Sequence, residues 1–154
     1  MDDVLYTAAE ESEVREYLIF TVDSIDFGID IGLVQEIIKI QPITSIPNAL
    51  DFCVGILNLR GTIIPVLDMR IKLGFDAVEY DERACIVVIM LESELIGVIV
   101  DMVQDVIRIP ENELIDSPPV LSNGRQSYTA KIACTDDKIR QIIDVNTVFC
   151  VNGI

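Results

Sequence analysis

The chain has 154 residues, 51% of them hydrophobic and none of them tryptophan, with 26 acidic against 11 basic side chains and a formal net charge of −15. That is enough for one ordinary domain or two very small ones around an aliphatic core, and the charge has the wrong sign for a nucleic acid or an anionic membrane, which both need a basic footprint. The absence of histidine removes the commonest general base, the Ser/His and Cys/His nucleophile pairs and most zinc sites.

In chain order, residues 1–15 are acidic and aperiodic (Asp2, Asp3, Glu10, Glu11, Glu13) and are expected to form a disordered leader. Glu16–Val22 and Ile25–Asp30 are predicted as a hairpin turning at Asp23-Ser24. Asp30 is a candidate cap for a short helix beginning at Ile31 and running to Ile40. There Ile31, Val34 and Ile38 share one face, and Leu33 with Ile37 a neighbouring one. Either this helix is buried all round, or one apolar face stays available to a partner.

Pro42 and Pro47 bracket an extended segment, Ile43-Thr44-Ser45-Ile46. Val54–Leu59 and Thr62–Leu67 form a second predicted hairpin with Arg60-Gly61 at its tip, where glycine serves a positive φ. Pro65 cannot donate a ladder hydrogen bond, which argues for an edge or bulge position. Asp68 and Gly74 stand as N-cap and C′ around a one- or two-turn helix, Met69–Leu73. Arg60 stands out as a cation between two apolar strands; a solvated turn residue is the plain alternative to a functional one. Phe75–Glu82 is an acidic connector.

The second half repeats the first. Ala84–Leu91 and Leu95–Val100 are strands about Glu92-Ser93. V-Q-D-V-I-R-I at 103–109 then matches V-Q-E-I-I-K-I at 34–40, position by position at an offset of 69. The match extends back through Gly28/Gly97, Ile29/Val98 and Ile31/Val100. Val66-Leu67-Asp68 recurs as Ile142-Ile143-Asp144 at an offset of 76. A polar loop lies between Pro110 and Ser127, followed by a hairpin of Ser127–Cys134 and Lys138–Asp144 through Asp136-Asp137. Two copies of about seventy residues predict a mainly β protein of two small five-stranded barrels with short helices in the connections. The barrels pack on each other, with subdomains at about 16–75 and 83–150.

Cys53, Cys85, Cys134 and Cys150 sit in or beside apolar runs with no C-x-x-C spacing, as free cysteines of a reducing compartment do. The longest apolar run, Ile86–Leu91, is too short to span a membrane. No phosphate loop or nucleophile elbow is present, and paired carboxylates such as Asp81-Glu82 and Asp136-Asp137 lie in connectors and turns. No catalytic residue, metal or cofactor is expected.

The stretch G-I-L-N-L-R-G-T-I-I-P-V-L-D-M-R at 55–70 resembles the CheW family pattern G-x-x-N-L-R-G-x-x-x-P-x-x-D-L-R. Y-L-I-F-T-V at 17–22, F-G-I-D-I-G-L-V-Q-E-I at 27–37 and G-V-I-V-D-M-V-Q-D-V at 97–106 support the resemblance. It implies two SH3-like barrels with a shared hydrophobic centre. It also implies a cytoplasmic, non-enzymatic adaptor that bridges the tips of methyl-accepting chemoreceptors to the histidine kinase CheA, or a scaffold of the same fold in a surface-motility or developmental array. The family's receptor groove takes a helical hairpin between the barrels. The matching positions are Ile31, Val34, Glu36, Ile37, Val98, Val100 and Val106. Arg60 matches the family's hairpin-tip arginine, placed either to fork onto a receptor carboxylate or to hold its own loop. The kinase face falls on an exposed barrel end at Ile43, Thr44, Ile46 and Gly55.

Overall fold

The computed structural model describes residues 13–116 and 129–149. The first half runs β1 (Val14–Val22), β2 (Ile25–Asp30), β3 (Val34–Lys39), β4 (Cys53–Leu59), β5 (Thr62–Asp68) and α1 (Met69–Lys72). The second runs β6 (Cys85–Leu91), β7 (Glu94–Val100), β8 (Met102–Pro110), β9 (Leu114–Asp116), β10 (Thr129–Thr135), β11 (Lys138–Ile143) and α2 (Val145–Val148). Four hairpin tips, Asp23-Ser24, Arg60-Gly61, Glu92-Ser93 and Asp136-Asp137, place both central residues at positive φ. That twist matches the right-handed twist of the flanking strands.

The strands form two sheets, ordered β8-β1-β2-β11-β10-β9 and β3-β6-β7-β5-β4. The fold is mainly β with two sheets, as expected for an SH3-like pair, though the sheets carry six and five strands instead of five each. The repeat shows itself as a reciprocal exchange. Each sheet takes one hairpin, β1–β2 or β6–β7, from one copy and its remaining strands from the other. A boundary near residues 75–83 therefore separates the copies of the repeat but not the sheets. The exchange is sealed by two short parallel pairings, β2 with β11 and β5 with β7. Gly28 and Gly97 sit at those joints. A Cβ on Gly28 would lie 2.8 Å from Ile142 Cδ1, and one on Gly97 2.8 Å from Ile86 Cγ2, so close strand approach explains why glycine recurs.

The core has three parts. The central cluster lies between the sheets and pairs repeat-equivalent residues: Leu18 with Val87, Phe20 with Ile89, Phe27 with Ile96, Leu67 with Ile143. Leu57, Ile64, Val66, Ile86 and Val88 fill the second sheet, and Tyr17, Ile19, Ile109, Ala133 and Ile142 the first. Each fully buried aliphatic side chain contributes about 1.5–3 kcal/mol, so the cluster between the sheets contributes to stability as the clusters of the individual sheets do.

The helix expected from Ile31 to Ile40 is absent. Ile31–Leu33 is a single 3-10 turn, with Asp30 Oδ1 accepting from the Gly32 amide at 2.8 Å. From Val34 the chain is the edge strand β3, paired with β6; β-branched Val34, Ile37 and Ile38 favour the pleated edge. Part of the loop expected after Pro110 is likewise ordered, as a 3-10 turn over Glu111–Glu113 and the strand β9 on β10; the rest of that loop lies outside the described residues. So do residues 1–12 of the expected leader, while Val14 and Arg15 belong to β1. Asp68 caps α1 as expected, and Gly74 follows at φ 94°. Pro65 falls where β5 pairs with β4 and has not yet met β7. Cys53, Cys85 and Cys134 are free thiols, and Cys150 lies outside the described residues. No helix among the described residues is long and apolar enough to cross a membrane.

Candidate partner-binding seam

Arg60 occupies the first central position of the β4–β5 turn, at φ 50°. The turn itself is shaped by Asn58, whose Oδ1 accepts from the Gly61 amide at 2.8 Å. The Arg60 side chain, 70% exposed, is therefore not needed to fold its own loop. It forks onto Glu36 of β3, with Nη1 donating to Oε2 at 3.3 Å and Nη2 to Oε1. β3 and β4 are the two edges of the second sheet, so this pair draws opposite edges together. The Glu36 bonds hold the Arg60 guanidinium above its ordinary pKa. A pair this exposed contributes little to stability and opens readily.

Beside the pair lies a concavity of about 310 Å³, lined also by Gln35, Leu59, Val88, Met90 and Leu95. Gln35 is the extra residue of a β-bulge, since the register passes from Val34↔Ile89 to Glu36↔Val88. Gln104 is its counterpart in β8, between Phe20↔Val103 and Ile19↔Asp105. Bulges re-aim side chains, and here to different ends. Gln104 Nε2 donates to Thr21 Oγ1 at 2.7 Å and to Asp26 Oδ1 at 2.6 Å. The repeat-equivalents of Thr21 and Asp26 are Met90 and Leu95, so on the second sheet the same place is an open hollow with an apolar wall.

The residues expected at the receptor groove separate into three depths. Val98 and Val100 are 3% and 1% exposed and belong to the central cluster. Their side chains support the seam and do not reach its surface. Ile31 and Val34 are half-buried at the margin of that cluster, with Val103. Ile37 and Val106, repeat-equivalents, are both 41% exposed, on the edge strands of different sheets. The structure thus joins Glu36 to Arg60, and Ile31 and Val34 to Val98 and Val100, and leaves Ile37 and Val106 as flanks.

The expected kinase face is compact. Thr44 bridges Ile56 through two backbone hydrogen bonds of 3.0 and 2.9 Å. Gly55 lets Thr44 approach: a Cβ there would lie 2.1 Å from the Thr44 carbonyl oxygen. Ile43 packs on the second-sheet cluster, and Ile46 is exposed. Sequence reasoning missed the exposed Val54 and Ile63 and, on the first sheet, the exposed Ile115 and Ile139. Ile63 and Ile139 are equivalent at the offset of 76, which is the signal that identifies both.

Two exchanged sheets with exposed apolar residues on their edge strands define a twinned β module. The CheW-like domain family matches residues 16–150, and the chain belongs to it. The chemotaxis protein CheW of Thermotoga maritima is 34% identical over 145 residues, covering 92% of each chain. That of Klebsiella aerogenes is 32% identical over 137 residues, covering 89% of this chain and 82% of the relative. The crystal structure of the scaffolding protein TtCheW from Thermoanaerobacter tengcongensis superposes with a TM-score of 0.84 at 35% identity, covering 92% of this chain and 97% of that one.

Proposed function

We propose that this chain is a non-enzymatic, cytoplasmic chemotaxis adaptor that couples the tips of methyl-accepting chemoreceptors to the histidine kinase CheA. The observation that carries the reading is the extent of the match, which runs through both sheets and the seam at more than nine-tenths of the length of TtCheW. The receptor's helical hairpin lies along the margin formed by Ile31, Val34, Ile37 and Val106, over a floor of Val98 and Val100. Arg60 exchanges its exposed bond to Glu36 for a receptor carboxylate or helix-end carbonyl, so Glu36 holds the guanidinium ready until then. CheA's regulatory domain, of the same fold, meets Ile43, Thr44, Ile46 and Gly55 with Val54 and Ile63 beside them, an apolar contact inside a polar rim.

The test is a pull-down with a chemoreceptor cytoplasmic fragment and CheA. A ternary complex is expected; its absence sinks the reading. Arg60→Glu is expected to weaken receptor coupling by about tenfold with an unchanged thermal melt, because Asn58 and not Arg60 shapes the turn. If Arg60→Glu unfolds instead, the arginine is a structural residue.

A further inference from the structure

A buried, multiply bonded guanidinium takes no part in the surfaces described so far. Arg70 leaves α1 and is almost fully enclosed, its side chain 8% exposed. Its Nη2 donates to Asp23 Oδ1 at 2.8 Å, in the β1–β2 turn of the first sheet. Its Nη1 donates to Asp101 Oδ2 at 2.5 Å, at the corner where β7 of the second sheet becomes β8 of the first. Its Nε donates to the Asp76 carbonyl at 2.9 Å, in the connector. One guanidinium therefore ties both sheets and the link between the repeat copies.

The corner it holds leads directly into the seam. Asp101 Oδ2 also accepts from the Asp23 amide at 2.9 Å, and the Asp101 amide donates to the Thr21 carbonyl at 3.0 Å. Asp101 Oδ1 is buried and has no donor, so the carboxylate is held through one oxygen, and Arg70 supplies the charged half of that hold. Two residues on, Val103 packs at the margin of the central cluster, and Gln104 opens the bulge that sets the phase of Asp105 and Val106. The equivalent of Arg70 in the other copy is Asn146; Asn146 is exposed, and among the described residues no such knot closes that end.

We propose that Arg70 is a positioning residue for partner binding: through Asp101 and Asp23 it fixes the first residues of β8, and so the shape of the receptor-side seam, without touching the receptor. This rests on the receptor reading of the seam given above. The knot is a remote determinant of one interface and not of the other, because the Arg70 guanidinium bonds Asp76, Asp101 and Asp23 and none of Ile43, Thr44, Ile46 and Gly55, while toward β5 the residue donates its amide to the Asp68 cap.

The test compares the full-length wild type with Arg70→Gln and two milder variants, Asp101→Asn and Asp23→Asn, which keep the arginine and remove one carboxylate each. Affinity for a soluble chemoreceptor fragment and for the isolated CheA regulatory domain is measured beside amide hydrogen exchange. Receptor affinity is expected to fall by about tenfold in Arg70→Gln and less in the aspartate variants, with kinase-domain affinity unchanged. Faster exchange is expected only at residues 21–26, 70–76 and 101–106. Arg70→Lys is expected to restore part of the receptor affinity, since it keeps the charge and loses the fork. Equal loss of both affinities, or faster exchange throughout both sheets in the aspartate variants, overturns the proposal in favour of a general stabilising role. A receptor affinity unchanged in all variants overturns it as well. A wild type that binds CheA and no receptor fragment overturns the receptor reading itself, which is a different result from a binding wild type with indifferent variants.

Discussion

The β4–β5–α1 and β10–β11–α2 ends of the molecule follow the same backbone path but differ in the sign of the charge at the tip and in what is buried behind it. In the first, the tip is Arg60-Gly61 and the strand interior is Leu59 and Ile64, the latter 1% exposed. In the second, the tip is Asp136-Asp137, and the positions of Leu59 and Ile64 are taken by Thr135 and Arg140. Arg140 is 7% exposed, donates through Nη1 to the Thr135 hydroxyl, and has a buried Nε without an acceptor. Among the described residues it has no carboxylate within salt-bridge distance. The fold demands positive φ at the tip and burial four residues on; it does not demand a sign of charge at either. The side chains left over from folding are those that distinguish the two ends to a partner.

Exchanging the buried residues breaks this comparison most severely. Ile64→Arg puts an unpaired cation into the second-sheet cluster and is expected to cost about 5 kcal/mol, enough to unfold the chain. The reverse change, Arg140→Ile, is expected to be neutral or to stabilise by about 1 kcal/mol, since apolar replacements of buried charges often do. Urea unfolding of both variants decides it. A loss above about 2 kcal/mol in Arg140→Ile would show that Arg140 is compensated in a way its single threonine partner does not explain.

The bulges near the start of β4 and of β10 offer a second break. The register shifts before Gly55 in one and before Lys131 in the other, which are repeat-equivalents. Gly55 admits the Thr44 backbone, whereas Lys131 lies opposite Asp116 and bonds it at 2.6 Å on the surface. Gly55→Ala is expected to cost about 3 kcal/mol, because its Cβ meets backbone and not a side chain that can move. Lys131→Ala is expected to melt with the wild type. Equal melting of the two variants would mean that the Thr44 bridge is dispensable.

How much of this was legible in the sequence depends on range. The hairpin tips, the Asp68 cap and the repeat itself are local or periodic, and each is where the residues place it. β3 was misread for a physical reason: the bulge at Gln35 inserts one residue into the strand and breaks the two-residue alternation. What remains, Ile31, Val34 and Ile38, then has helical spacing. The strand exchange was not legible, because nothing local tells Ile25–Asp30 to pair with β11 and not with β5. Val98 and Val100 matched a binding pattern, but β7 is covered on both faces, and a pattern does not say which face is wet. Arg60 and Glu36 were both named as receptor-side positions, but their bond to each other was not legible, since 24 residues and a sheet closure separate them. Arg140 escaped notice because a polar residue in an apolar run is read as surface.

The smallest expected effect sharpens the comparison at the two helix caps. Asp68 and Asp144 each accept from an amide two residues on, Arg70 at 2.9 Å and Asn146 at 3.1 Å. Asp144 is exposed and takes a second bond from the Thr147 hydroxyl at 3.0 Å, whereas Asp68 is buried and takes one from the Tyr80 hydroxyl at 2.6 Å. Burial, and then the bond to Asp68, push the Tyr80 hydroxyl pKa well up. As pH climbs through about 10 the unfolded chain releases this proton while the folded chain keeps it. The Tyr80 contribution is therefore complete below about pH 10 and is lost above it. Tyr80→Phe is expected to cost about 1–2 kcal/mol at neutral pH, with the gap to wild type closing on the alkaline side. Tyr17, whose pKa is also raised, is common to both chains and drops out of the difference. Thr147→Val removes a hydroxyl that does not titrate in this range, so its smaller gap is expected to stay constant across the same series. Urea unfolding at neutral and alkaline pH measures both, and a Tyr80→Phe gap that does not narrow would mean that the tyrosine keeps its proton no better folded than unfolded.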